Sequence, residues 1–305
     1  MRVAVTDLDT LREAGSVSFR ITTIISLSEN SILEIKVKIG RQDNRSSGIS
    51  TSNAETIVVR GRDLAGELVG RIGFSEHFWL LLTGSLPSPA QLRVLDATLV
   101  AIAEHGLVPS VQAARMTLAA APEALQGAVA AGILGCGSVV LGSAEAAGRL
   151  FAEIKARAAA TSLRAAALDV VREYRAAKRA IPGYGHPLHK GRDPRALRLF
   201  AVAQETQTSG AHAEIAGLVE ELLPEVVGRP LALNVSGAIP AVLLDAGYPL
   251  QALKGVPLLA RTAGLVAHLL EEQLRPIGFV MSHAAGQAIA YDGDLPAGFV
   301  PDKDG

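Results

Sequence analysis

The feature that most constrains this chain is a spacing. From Thr56 onward apolar residues recur three and four apart, as in LAGELVGRI, FSEHFWLLLTG and PAQLRVLDATLVAIAEHG, and glycine or proline closes each run. The same spacing continues through VQAARMTLAAA, SAEAAGRLFAEIKARAAA, HAEIAGLVEELLPEVVG and PLLARTAGLVAHLLEEQ. No run of alternating β-branched residues follows position 60, so the body is expected to be nearly all α. No self-similar period of about 20 to 50 residues appears, which argues against a helical solenoid.

Residues 1 to 50 differ from the rest. The segment ILEIKVKI alternates like a strand, and the polar stretch GRQDNRSSGISTSN follows it. This N-terminal part is expected to be an atypical extension on the helical body, with a small β-hairpin as the other possibility.

At 305 residues the chain is long enough for one large core or two unequal lobes. Lys and Arg number 29 against 30 Asp and Glu, a net charge of -1 that leaves no electrostatic footprint for nucleic acid or an anionic membrane. The expected partners are therefore small molecules or a second copy. Cys136 is the single cysteine, which excludes an internal disulfide framework and a zinc site built on cysteine pairs, so no metal is expected. Mean hydropathy is positive at +0.29, yet no stretch of about 18 uncharged apolar residues occurs. The opening MRVAVTDLDT carries charges where a signal peptide needs an apolar run, and a cytoplasmic location is expected.

The segment most able to carry chemistry is IPGYGHPLHKGRDPRA, Ile181 to Ala196, which gathers glycines, prolines, two histidines and several cations between two helices. Gly183 and Gly185 allow backbone amides to approach a phosphate or a flat ring, and Lys190 and Arg192 can neutralise phosphate oxygens. His186 can donate or accept a proton near neutral pH. A capped interhelical turn with surface cations is the plain alternative.

GYGHPLHKGRDPRA resembles the signature loop of the citrate synthase family, in which a glycine-flanked histidine is followed nine residues later by the arginine of Asp-Pro-Arg. The resemblance implies that His186 hydrogen-bonds the oxaloacetate carbonyl or the citryl hydroxyl, and that Arg195 binds a substrate carboxylate. It assigns CoA to Gly183, Tyr184, Gly185 and Lys190. AEHGLVPSVQAAR is similar to the family segment in which a histidine touches the keto acid, here His105. LLARTAGLVAHLLEE with the following LRP is similar to the segment that supplies two further carboxylate-binding arginines, Arg261 and, across a dimer, Arg275. Guanidinium forks remain charged and grip carboxylates bidentately, which suits a tricarboxylate. The likeness covers roughly residues 55 to 290.

Two departures bear on the chemistry. Where the family places a second histidine in a Gly-Pro-Leu-His-Gly-Gly segment, this chain reads GSVVLGSAE, with Val140 at the matching position. Where it places the aspartate of Asn-Val-Asp, the base that enolises acetyl-CoA, this chain has Asn234-Val235-Ser236. The stretch from Gly137 to Phe151 instead resembles the citrate-cleaving module of ATP citrate lyase and stand-alone citryl-CoA lyases, although those modules commonly keep the aspartate. A weak base at Ser236 handicaps condensation more than cleavage.

The resemblance implies an all-α, two-domain, dimeric fold: a large helical domain from residues 51–145 and 233–295, and a small helical lobe from 146–232. Three activities stay open: citryl-CoA cleavage, condensation of an acyl-CoA with oxaloacetate in the manner of a citrate or methylcitrate synthase, and near-inactive CoA or citrate binding. His186 and Ser236 are the candidate catalytic residues. No permanently bound cofactor is expected, and the CoA thioester acts as co-substrate. Trp79 and Cys136 read as core residues, His77 and His268 as locally satisfied helix-face histidines, and His189 as a second histidine of the ligand loop. Glu145 aligns with a family acid near the site, with a helix cap or internal ion pair as the alternative.

Overall fold

The computed structural model describes residues 45–137, 141–185 and 193–299. Three short antiparallel strands open it, β1 (Ser50–Ser52), β2 (Ile57–Val59) and β3 (Arg62–Asp63), in the order β1-β2-β3 with Thr51 opposite Val58 and Val59 opposite Arg62. This corrects the expectation of helix from Thr56. Strands of two and three residues are too short to display an alternation. A single π-turn, Leu64–Leu68, connects the sheet to the helices, and Leu68, Leu80 and Val59 form a small core beneath it.

Eleven α-helices follow among the described residues: α1 (Phe74–Thr83), α2 (Pro89–Ala103), α3 (Pro109–Ala120), α4 (Leu125–Leu134), α5 (Ser143–Arg157), α6 (Leu163–Ala176), α7 (Pro194–Glu205), α8 (Ala211–Val227), α9 (Val235–Asp245), α10 (Gly255–Leu274) and α11 (Gly278–Ala288). Local chemistry sets their ends. Ser88 and Gln91 form a reciprocal capping box at α2, Pro89 occupies the first turn, and left-handed Gly84 and Gly228 stop α1 and α8.

α9 is the hub. Its buried residues, Val235 and Gly237 through Leu243, pack against α5, α7, α8 and α2 in the main core. A run that is apolar all round suits a helix surrounded by neighbours. Asp245 at its end ties α9 to the start of α8 by accepting from the amides of Gly210, His212 and Ala213 and pairing with His212 Nδ1 at 2.7 Å. A second, smaller core joins Val111, Ala114 and Leu118 of α3 to Ala128 of α4 and Leu265 and Leu269 of α10.

The stretch Leu250–Leu274 is long and apolar enough by length and composition to cross a bilayer. Here it packs on α2, α3 and α4 and buries Arg261 and Glu272 at 2% and 3% exposure. Trp79 is buried as expected and meets the Tyr248 ring edge-on at 5.5 Å.

Candidate active site

The ligand loop is fastened to the start of α9 by one asparagine. Asn234 accepts from the amides of Ser236 and Gly237 with its Oδ1, capping α9, and donates from Nδ2 to the Gly185 carbonyl at 2.6 Å. Its own amide donates to the Gly183 carbonyl at 3.0 Å, and the Gly185 amide donates to Ala232 at 2.8 Å. The backbones then touch. A Cβ on Gly183 would lie 2.7 Å from the Gly237 Cα, and one on Gly237 would lie 2.7 Å from the Gly183 carbonyl oxygen. Gly183 and Gly185 also take φ of 88° and 80°, the left-handed region where a Cβ is strained.

Between these glycines Tyr184 faces inward. Its hydroxyl donates to the Ala216 carbonyl at 2.8 Å, its ring packs edge-on to Phe151, and burial, with the Glu220 carboxylate nearby, pushes the phenol well above its ordinary value. The Tyr184 side chain belongs to the core, because an aromatic with one satisfied hydroxyl is stable there, so the CoA contact expected at Tyr184 falls to its backbone. His186, His189, Lys190, Arg192 and Val140 lie outside the described residues.

Asp193 caps α7, with Pro194 in the first turn, and holds Arg195 on both oxygens: Nε to Oδ1 at 3.0 Å and Nη2 to Oδ2 at 2.8 Å. The Val235 amide also donates to Oδ2, so one carboxylate joins α7, α9 and the loop. Burial alone would raise the Asp193 pKa, but the guanidinium and the backbone amides hold it below the ordinary carboxylate value. With its fork occupied, Arg195 turns its remaining edge outward, where Nη1 lies 3.4 Å from His105 Nδ1. The structure thus brings two of the expected ligand residues together.

His105 follows α2. The Gly264 Cα on α10 sits so close to this connection that a Cβ would be 2.1 Å from the Ala103 carbonyl oxygen. Arg261 lies one turn earlier on α10, buried at 2% exposure, and neither its Nε nor its Nη1 has a hydrogen-bond partner among the described residues. The Ser110 hydroxyl, at the first turn of α3, is also buried, with the Cys136 thiol beside it. Cys136 links the two. Burial raises its thiol pKa against the opposing influences of the Ser110 hydroxyl and the Arg261 guanidinium, so the thiol stays protonated and supplies no counter-charge. A buried guanidinium without a carboxylate is costly, and buried polar groups are normally paired.

Ser236 is half-buried in the first turn of α9, and its hydroxyl makes no hydrogen bond among the described residues. Glu145 forms an i,i+4 ion pair with Arg149 at 2.7 Å. Arg275 is not brought to the cluster within one chain. It caps α10 fourteen residues beyond Arg261, about 21 Å along the axis, is 79% exposed, and pairs with Glu271 at 2.6 Å.

Sequence reasoning gave no role to the partners of His268 and Arg115. His268 Nε2 donates to the Glu104 carboxylate at 2.9 Å, and Arg115 is buried against Glu272 at 2.6 Å and Glu271 at 2.8 Å. Arg115 ends the quoted motif AEHGLVPSVQAAR, but an acid 157 positions away leaves no local trace.

Comparison with known proteins places the chain in a family. Residues 71–277 match the citrate synthase C-terminal domain. The structure of citryl-CoA lyase from Hydrogenobacter thermophilus superposes with a TM-score of 0.73 at 33% identity, over 84% of this chain and 97% of that one. ATP citrate lyase from Methanosaeta concilii, at 22% identity and a TM-score of 0.63 over 87% of this chain and 43% of that one, shares the fold. The citrate/2-methylcitrate synthase of Bacillus subtilis is 30% identical over 206 residues, 66% of this chain and 53% of that protein. The chain spans about half the length of the curated relatives it matches. The motif loop, the helical architecture and these matches agree: the chain belongs to the citrate synthase family.

Proposed function

We propose that this chain cleaves citryl-CoA to acetyl-CoA and oxaloacetate. The observation that carries the reading is Arg261: a buried guanidinium with free Nε and Nη1, one helical turn from the His105 connection, calls for a ligand carboxylate. Arg195 and His105 offer a second polar edge close by. The fit to a protein described as a citryl-CoA lyase along nearly its whole length supports the class of substrate.

The direction rests on Ser236. In cleavage, His186 takes the citryl hydroxyl proton, the C–C bond breaks, its electron pair passes into the acetyl-CoA enolate, and the new carbonyl of oxaloacetate stays among the arginines. The enolate carbon then takes a proton from water held by Ser236 or the loop amides. Condensation requires a base strong enough to deprotonate the thioester methyl, and a serine at 236 does not supply one. The synthase reading is kept because the curated relatives are citrate and methylcitrate synthases.

A homodimer belongs to the same proposal. Val266, Leu270 and Leu274 expose a stripe along α10, and Phe279 and Val280 extend it onto α11 beside exposed Arg275. A second copy covering that face would receive Arg275 at its own site. Sedimentation equilibrium tests this, with a monomer at micromolar concentration as the contrary result.

The deciding experiment follows acetyl-CoA and oxaloacetate release from synthetic citryl-CoA, beside CoA release from the reverse mixture, for the parent chain, His186→Ala and Ser236→Asp. Cleavage that disappears in His186→Ala supports the lyase. A gain of condensation in Ser236→Asp above the parent's cleavage rate favours a degenerate synthase. No turnover in either direction, with citrate or CoA still raising the melting point, leaves a binding protein.

A further inference from the structure

Glu104 stands immediately before His105 and spends its carboxylate in two directions. It closes the end of α2 by accepting from the Gly106 amide, and both its oxygens face His268 Nε2, at 3.0 and 2.9 Å. A helix cap alone would need only the first of these. The other imidazole nitrogen, Nδ1, faces Arg115 Nη1 at 3.5 Å. One tautomer satisfies both sides: a neutral ring with its proton on Nε2 donates to Glu104 and offers the Nδ1 lone pair to Arg115. Arg115 continues the chain to Glu271 at 2.8 Å, and Glu271 holds Arg275 Nη2 at 2.6 Å. Glu272, also on Arg115, fixes the turn into α11 by accepting from the Ile277 and Gly278 amides.

From this geometry we infer that His268 and Glu104 are positioning residues: they fix the His105 connection and tie it, through Arg115 and Glu271, to Arg275. The inference rests on the reading of His105 and Arg275 as substrate-gripping groups. His105 Nδ1 already faces Arg195, so the placement of its ring depends on where the 104–106 backbone is held. Gly264 supports the same end by letting α10 approach the Ala103 carbonyl with no side chain between. Among the described residues, the charged groups around His268 are Glu104, Arg115 and Glu271, two acids and one base, and Glu272 lies across Arg115.

The test uses full-length His268→Ala, His268→Gln and Glu104→Gln. Glutamine at 268 keeps a nitrogen donor near the place of Nε2 and serves as the rescue. The imidazole Cε1–H resonance of His105, assigned through His105→Gln, is titrated in the ligand-free protein, with His212 on α8, paired to Asp245 at the end of α9, as the internal reference. In His268→Ala and Glu104→Gln the His105 midpoint is expected to move by about half a pH unit or more, with His212 unmoved and His268→Gln close to the parent. In citryl-CoA cleavage the same variants should lose about tenfold in kcat/KM, with His268→Gln recovering most of it. A His105 midpoint unchanged in a folded His268→Ala overturns the inference, as does joint movement of His105 and His212. If the parent does not turn over citryl-CoA, the functional reading falls while the titration still decides the positioning role.

Discussion

Arg115 on α3 and Arg261 on α10 are buried alike, each 2% exposed, yet they are opposites in their contacts. Arg115 gives Nε to Glu272, Nη1 to Glu271 and Nη2 to the Arg275 carbonyl, so its charge is neutralised inside the protein. Arg261 finds no partner for Nε or Nη1 among the described residues, and the Cys136 thiol beside it is neutral. The first arginine belongs to the architecture, and the second is the one proposed above to meet a ligand carboxylate. Burial alone does not separate these two cations. Their hydrogen bonds do.

Breaking the first region should have the largest effect on folding. Arg115→Met strands the Glu272 carboxylate, and a loss of about 3 to 5 kcal/mol is expected in urea denaturation. A loss below about 1 kcal/mol would mean that the clasp is wet and weak. Arg261→Met, by contrast, should leave stability equal or raised, because it removes a buried guanidinium whose Nε and Nη1 have no partner among the described residues.

That same variant should fail where the parent succeeds. Citrate is expected to raise the parent's melting midpoint, and Arg261→Met to weaken the binding by about 2 to 5 kcal/mol, removing the shift at matched concentration. A citrate shift that survives in Arg261→Met would move the carboxylate to another residue.

How much of this contrast is legible in the sequence depends on distance along the chain. His105, Arg195 and Arg261 stand in local motifs, and the helical body shows in a spacing repeated over hundreds of residues. The first strands do not show, because Ser50–Ser52 and Arg62–Asp63 are shorter than any period. Tyr184 is only half legible, for a different reason. Two glycines in positive φ advertise a ligand loop, and the aromatic between them points the other way, into Phe151. The Arg115–Glu272 pair is invisible because its partners meet only after the chain has folded back across 157 positions.

Acid should sharpen the comparison with a smaller effect. Burial by itself would raise the Glu272 pKa, yet Arg115 and the amides of Gly278 and Ile277 hold it below the ordinary value. A carboxylate depressed in the folded state contributes its stability above the unfolded value, about 4.3 for glutamate, and loses it as pH falls through the lower folded value. Parent stability should therefore decline below about pH 4.3, and Arg115→Met should decline less steeply there. Equal slopes in denaturation at several acid pH values would remove Glu272 from the account.

Ser110→Ala is the mildest probe. Its hydroxyl meets at most the neutral Cys136 thiol among the described residues, so stability should change by less than about 1 kcal/mol, whereas citrate affinity should fall if the hydroxyl faces the same ligand as Arg261. Unchanged affinity would confine the ligand contact to the guanidinium.

The contact of Gly183 with Gly237 has a consequence for how this scaffold can change over generations. Neither position tolerates even a methyl group, so single substitutions there are closed to drift, and the two must persist as a pair. The pair acts as a rivet between the root of the ligand loop and the hub helix. Any change that reaches this seam must alter both partners together, so the junction is inherited as a unit rather than adjusted one residue at a time.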